Sequence, residues 1–354
     1  MTRLRREFHR RPELAFREFA TSERVCAELS ALGIPFRTVG TGVIADLDVG
    51  AKTRFAFRSD MDALPIAEQT GAEYASQNEG VMHACGHDGH MALLLGFAKA
   101  CAEHREGLRR NVRFVFQPAE EGEGGALGMI EGGALEGVDE IYAFHLDPAL
   151  ERGKIGLCEG ASMAGDFEFD VLFRGEAAHC AEREKGRDAL SAACAFAEAL
   201  AALPGKSDAL LHAGKLTAGV ARNVVAEQAK LECSMRYFAE KERDRLLRLM
   251  EFELGYLADK TGVRGEIRKV TEYLPLKNSQ GCLDRLKGIS DFVLQKKRYL
   301  SEDFAFYLAR CKGAHAWLGV KKDPQTKLHA ADFDFDESCL ETGVNLYRKL
   351  VEND

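Results

Sequence analysis

The chain has 354 residues, room for about two domains at roughly 150 residues each, and its 48 Lys+Arg against 56 Asp+Glu leave a net charge of −8. With 46% hydrophobic and 29% charged residues it is neither disordered nor fibrous, and it lacks the basic excess of a nucleic-acid binder. No apolar run approaches the roughly 18 residues of a membrane span, and the basic start MTRLRREFHRRPEL has no apolar stretch behind it, so neither a membrane partner nor a secretory signal is expected.

Residues 13–32 pattern as an amphipathic helix with Phe19, Val25, Leu29 and Leu32 facing the core and Gly33 as its C-terminal cap. Strands follow at 42–49 (GVIADLDV) and 54–58 (RFAFR), then a helix over 89–104 and a strand at 112–116 (VRFVF). A Gly-rich helix near 122–135 leads to a strand at 140–144 (EIYAF). Strands alternating with helices predict an α/β domain: a mostly parallel sheet flanked by helices.

From about residue 165 the texture changes. DFEFDVLFRG alternates as a half-wet strand, and a helix over 188–203 follows. LLHAGKLTAG and AEQAKLECSMRYF read as two more strands, then a charged helix over 240–260 and a strand near GVRGEIRKV. The order β-α-β-β-α-β is the ferredoxin-like pattern. After about 275 the α/β texture resumes and ends on an amphipathic helix over 336–351. The expected organisation is a catalytic domain of residues 1–164 and 275–354, interrupted by an inserted α+β domain of residues 165–274.

Ten cysteines are scattered without a CxxC pair, which fits a reduced, cytoplasmic protein, and nine of them read as small buried hydrophobes. Cys85 has different company. The string His83-Ala-Cys-Gly-His-Asp-Gly-His90 gathers a thiol and two or three imidazoles where a helix opens after a strand and loop. That donor set suits a borderline-soft ion such as zinc, although Gly86 and Gly89 alone would only mark a turn. Glu120 and Glu121 stand just beyond the strand VRFVF; a Glu pair is usually a solvated helix start, but one set between an apolar strand and a Gly-rich turn fits that explanation less well. His145 ends the next strand and taken singly reads as a core histidine; His329 precedes the acidic turn ADFDFD. Together Cys85, His87, Glu121, His145 and His329 are too many ligands for one tetrahedral ion, and they fit two ions a few Å apart.

The strings FHRRPELAFREFAT, RSDMDALPI, MHACGHDGHMALLLG, FVFQPAEEGEGGALGMI, AFHLDP, SEDFAFYL and LHAADFDFDE cover nearly the whole chain in order. In them the sequence resembles the zinc-dependent aminoacylase/carboxypeptidase family, in its branch of auxin-conjugate, hippurate and aminobenzoyl-glutamate amidohydrolases. The resemblance implies a two-metal catalytic domain, with Zn²⁺ or Mn²⁺, and an inserted lid that usually dimerises. It implies Cys85, His87, Glu121, His145 and His329 as ligands, Glu120 as general base, and Asp62 as the aspartate that orients a ligand or the base. In the lid it places His179 as the oxyanion histidine, in cis or across a homodimer, and Asn223 and Arg236 against substrate. The implied activity is amide hydrolysis of an N-acyl amino acid or related small conjugate by a metal-activated water, with a dipeptidase or carboxypeptidase as the alternative.

Where that branch often carries a Gly-Gly-His string and a Pro-His shortly after it, this chain reads AAHCAEREKGRDAL and keeps only His179. With ARNVV, the segment stands closer to the aminobenzoyl-glutamate-like members. A thiol redox protein would need a second cysteine close to Cys85, and the sequence has none nearby.

Overall fold

The computed structural model describes residues 1–122 and 124–353, and the chain divides into two compact units. One comprises Met1–Gly160, Lys277–Lys296 and everything from Asp303 onward; the other comprises Ala161–Leu276 and Lys297–Glu302.

The first unit opens with helices α1 (Thr2–Arg10) and α2 (Phe19–Ala31) and strands β1 (Phe36–Val39), β2 (Gly42–Leu47) and β3 (Arg54–Asp60). Helix α3 (His87–Glu103), β4 (Asn111–Gln117), α4 (Ala126–Glu131), β5 (Glu140–Asp147) and β6 (Ile155–Leu157) follow. Short strands β7 (Ala161–Met163) and β12 (Leu276–Lys277) lie where the sequence passes between units. After them come α7 (Gln280–Ile289), β13 (Phe292–Leu294), α8 (Ala305–Leu308), β14 (Lys312–Gly319) and α9 (Leu340–Glu352). Apart from β7 and β12, these strands form one sheet in the order β1-β2-β4-β3-β5-β14-β6-β13.

Its centre, β4-β3-β5-β14, is parallel throughout, so all four strands deliver their carboxyl ends to one edge. They are buried along almost their whole length, as strands covered on both faces must be. Helix α3 is buried over most of its residues, and Phe57 on β3 meets Phe97 of α3 (centroids 4.7 Å apart) and Tyr347 of α9 (4.6 Å). Burying an aromatic ring this fully is worth about 1.5–3 kcal/mol. Gly343 lets α9 come this close, since a Cβ there would lie 2.3 Å from Leu93 Cδ1.

The expected helix over 13–32 begins only at Phe19. Residues 13–14 are drawn away to pair with Ala63, whose N–H donates to Glu13 O at 2.8 Å, and the Glu13 carboxylate accepts the first free amides of α2, Ala20 and Thr21. Phe19 is therefore 64% exposed rather than in the core, whereas Val25 and Leu29 are buried. The helix near 122–135 shortens to α4 because Gly122 and Gly124 hold positive φ in a tight turn; Glu123 lies outside the described residues, as does Asp354. Strand β5 runs on to Asp147, so His145 lies within it. The final helix starts at Leu340, after a 3-10 turn capped by Asp336, whose Oδ1 accepts the Ser338 N–H at 3.0 Å.

The second unit runs β8 (Gly165–Arg174), α5 (Ala189–Ala202), β9 (Leu210–Ala218), β10 (Gln228–Tyr237), α6 (Glu240–Thr261) and β11 (Arg264–Tyr273). Its antiparallel sheet has the order β11-β8-β10-β9, the ferredoxin-like arrangement. On β8 and β10 alternate residues are buried, which gives the sheet one dry face. Phe169, Val171, Met235 and Tyr237 from that face pack with Phe196 of α5 and Leu246 and Met250 of α6. Among the described residues no helix is long and apolar enough to cross a membrane.

Candidate metal centre

The polar residues of the first unit collect beyond the carboxyl ends of β3, β4 and β5, where open α/β sheets hold ligands. Gly86, with φ +89, turns the chain between Cys85 and the start of α3, so the Cys85 thiol and the His87 ring face the same space. His145 reaches it from β5, with Nε2 3.3 Å from Cys85 Sγ. His329 enters from the C-terminal segment, its Nε2 3.3 Å from Cys85 Sγ and 3.4 Å from Glu121 Oε1. The His329 backbone is anchored too: φ is +62 and its N–H donates to Ala84 O at 2.8 Å.

Two of the donor groups that result are built on Cys85, Cys85–His87–His145 and Cys85–Glu121–His329, each with its ligand atoms within 4.8 Å of one another. Cys85 is common to both. The five residues singled out as ligands in the sequence are thus brought together. Glu120 stands at their side, with Oε2 3.9 Å from His87 Nε2.

The residues fit divalent ions on their chemistry. His87 Nε2 and Glu121 Oε1 are buried with no hydrogen-bond partner, an arrangement that costs about 1–3 kcal/mol per group unless something binds them. The second ring nitrogens are already committed. His87 Nδ1 lies 2.8 Å from the Asp62 carbonyl oxygen and His145 Nδ1 2.8 Å from the Leu146 carbonyl oxygen, which as acceptors leave each Nε2 lone pair for the cluster. Burial pushes the Cys85 thiol well up, and the charges of Glu121, Glu120 and Asp60 add to this; a cation reverses that balance. His87 is pushed up to about 10, because Asp60 and Asp62 outweigh the opposing effect of burial.

Asp62 orients the glutamates through their backbone. Its Oδ1 accepts the Glu120 N–H at 3.0 Å and its Oδ2 the Glu121 N–H at 2.9 Å.

Several supporting residues were not singled out in the sequence. Asp60 Oδ1 lies 2.5 Å from His90 Nδ1, and His90 Nε2 accepts the Leu146 N–H at 2.9 Å, so His90 supports the cluster and is not a free donor. Arg58 bridges Asp60 (2.7 Å) and Asp303 (2.8 Å), and Asp303 also accepts from Gln117 and from the Ala126 N–H. The signal for Asp60 was its spacing: two residues before Asp62 on an extended segment, it points to the same side. His83 is buried with both ring nitrogens unpartnered, and burial pushes it down to about 3.

The other three residues singled out in the sequence belong to the second unit. His179 is exposed, its Nδ1 accepting the Ala181 N–H at 3.2 Å, and it forms a β-bridge with Val224. Beside it the Cys180 N–H donates to Asn223 O at 2.9 Å, so His179 and Asn223 are neighbours. Arg236 on β10 is held by Asp166 (3.0 Å) and Ser301 Oγ (2.9 Å). Burial pushes the Asp166 carboxyl up to about 6 against the pull of Arg236, with Glu168 adding to the rise.

The family profile described as peptidase family M20/M25/M40 matches residues 56–353. Among similar proteins, the N-acetyldiaminopimelate deacetylase of Lacticaseibacillus casei is 32% identical over 374 residues, covering 99% of this chain and 96% of that protein. The IAA-amino acid hydrolase ILR1-like 4 of Arabidopsis thaliana is 31% identical, covering 99% of this chain and 84% of that one. Among solved structures, a dinuclear metal-binding peptidase of the M20 family from Bacillus subtilis superposes with a TM-score of 0.90 at 30% identity, covering 99% and 95% of the two chains.

Proposed function

The chain belongs to peptidase family M20/M25/M40 and is a metal-dependent amide hydrolase, and on that footing we propose that it cleaves N-acyl amino acids or related small conjugates. The observation that carries the reading is the pair of donor groups sharing Cys85, with Glu120 against His87 at their edge. We assign one ion to Cys85, His87 and His145 and the other to Cys85, Glu121 and His329. Divalent ions there supply Lewis acidity and bring the pKa of a water toward neutrality; the thiolate ligand favours Zn²⁺ over Mn²⁺.

Glu120 is the general base: its carboxylate takes the proton of the attacking water and returns one to the leaving amine. Asp62 keeps Glu120 and Glu121 in register by accepting both their amides, and fixes the His87 ring through its carbonyl. His179 is assigned the developing oxyanion. Asn223 and Arg236 are assigned the polar end of the substrate, where a guanidinium suits a carboxylate. Asp166 already pairs with Arg236, so a substrate carboxylate competes for that cation.

Residues 1–164 and 275–354 are proposed as the catalytic domain and 165–274 as the lid. Homodimerisation through the lid is supported by β9, an edge strand with exposed Leu210 and Leu216. A reduced, cytoplasmic setting suits the free thiol of Cys85.

The test is a hydrolysis panel of N-acetyl, benzoyl, aminobenzoyl and indoleacyl amino acids beside simple dipeptides, with defined Zn²⁺ or Mn²⁺ added. Turnover of at least one N-acyl amino acid in preference to the dipeptides is expected. Cleavage of dipeptides alone would overturn the substrate assignment in favour of a peptidase.

A further inference from the structure

Glu18 belongs to none of the donor groups described above, and its side chain is fully buried. Its Oε1 accepts the Phe16 N–H at 3.0 Å and the Ala119 N–H at 2.9 Å, and its Oε2 accepts the Thr41 hydroxyl at 2.7 Å. The bond to Ala119 spans 101 positions of sequence and ends one residue before Glu120.

Ala119 itself is unusual. It holds φ +55, a left-handed conformation that a residue with a Cβ and no polar side chain rarely adopts. Its carbonyl accepts the Gly125 N–H at 2.9 Å, and a Cβ on Gly125 would lie 1.9 Å from Pro118 O, so the turn is closed tightly on itself. Three successive amides, those of Ala119, Glu120 and Glu121, therefore end on two buried carboxylates from separate segments, Glu18 and Asp62.

We infer that Glu18 is a positioning residue: by accepting the Ala119 N–H it holds the left-handed backbone that aims the carboxylates of Glu120 and Glu121 into the metal centre. Without that acceptor the amide is buried and unpaired, and the direct way to relieve both the amide and the strain is to rotate Ala119 to negative φ. Such a rotation re-aims the chain at Glu120, immediately downstream. Asp62 holds the two amides after Ala119 and Glu18 the amide of Ala119 itself, so the turn is fixed at all three successive amides only while both carboxylates are present. Anchoring of its own neighbourhood explains the bonds to Phe16 and Thr41; it does not explain why the same carboxylate also reaches the turn that carries the paired glutamates. The inference rests on the proposed roles of Glu120 and Glu121.

The test uses the full chain loaded with Co²⁺, in Glu18→Ala and Glu18→Gln forms. Glutamine keeps a carbonyl oxygen for the two amides and can donate to Thr41. Glu18→Ala is expected to lower kcat by about 10²-fold, the scale of a displaced catalytic group, with KM little changed. It is also expected to shift the visible Co²⁺ spectrum, and Glu18→Gln to restore both. A folded Glu18→Ala protein with wild-type kcat and spectrum overturns the inference, as does a Glu18→Gln protein no better than Glu18→Ala. If Glu18→Ala does not fold, Thr41→Val carries the test: a smaller loss of kcat at constant KM supports the inference, and an unchanged kcat and spectrum overturns it. The Co²⁺ spectrum reads Glu121 directly, so an error in the role of Glu120 shows separately, as turnover surviving in Glu120→Ala.

Discussion

Cys85 and His329 are 244 positions apart in the sequence, yet Sγ and Nε2 lie 3.3 Å from each other. The contact is held at the backbone as well, by the His329 N–H on Ala84 O. A residue from the end of the chain thereby completes a donor group begun in its first quarter.

Because Cys85 is common to both groups, its loss should not be a half-effect. Cys85→Ala is expected to strip both ions, whereas His329→Ala and His145→Ala should each lose one preferentially. Metal analysis of the dialysed proteins checks this. A Cys85→Ala protein that keeps two ions per chain sinks the shared-ligand arrangement.

Glu120 should be separable from metal binding. Glu120→Ala is expected to retain wild-type metal content and to lose turnover; activity above about 1% of wild type would rule it out as general base, since such groups contribute 10²–10⁴-fold.

Asp62→Asn tests the support beneath the glutamates. An amide nitrogen replaces one acceptor oxygen, so either the Glu120 or the Glu121 N–H, both half-buried, loses its partner. A stability loss of about 1–3 kcal/mol is expected in urea titrations. Outer-shell support of this kind is worth about 10–100-fold in activity, and kcat should fall accordingly.

A pH effect is expected on α1, at a residue that is not one of the proposed ligands. His9 is fully buried with Nδ1 2.7 Å from Asp88 and Nε2 3.2 Å from Glu68. Burial alone would lower its pKa; the charge of Asp88 and the two hydrogen bonds overcome this and raise it to about 9. The native state then holds a proton that the unfolded chain releases near pH 6.5. The stabilisation is complete below about pH 6.5 and is lost as pH rises to about 9, amounting to about 3 kcal/mol at most. Urea unfolding of wild type against His9→Gln across that range should show the difference shrinking with rising pH. A difference that grows, or stays flat, refutes the assignment.

The clustered donors were legible in the sequence wherever a polar residue follows an apolar strand: Glu120 and Glu121 after VRFVF, His145 after EIYAF, and the CGHDGH string opening a helix. Polar atoms in such places need a partner, and that need is visible without coordinates. Glu18 was not legible, because the partner that matters is a backbone amide 101 positions away. The helix expected over 13–32 failed for the same reason: local periodicity favoured it, while the pairing of residues 13–14 with Ala63 and the carboxylate of Glu13 moved its start. The second unit was read more closely because its central strands β8 and β10 show their dry face by alternation.

The place of β14 between β5 and β6 bears on how the protein is made. On the ribosome both neighbours emerge long before β14, so β5 waits with one side unpaired. The Cys85 thiol waits too, for the 244 residues that separate it from His329. At bacterial or eukaryotic elongation rates that interval is roughly 10–50 s. During it the nascent chain offers a half-formed nest of sulfur and imidazole to any oxidant or stray ion. On the proposed ligand set, the donor group that includes His329 can be complete only once nearly the whole chain has been made.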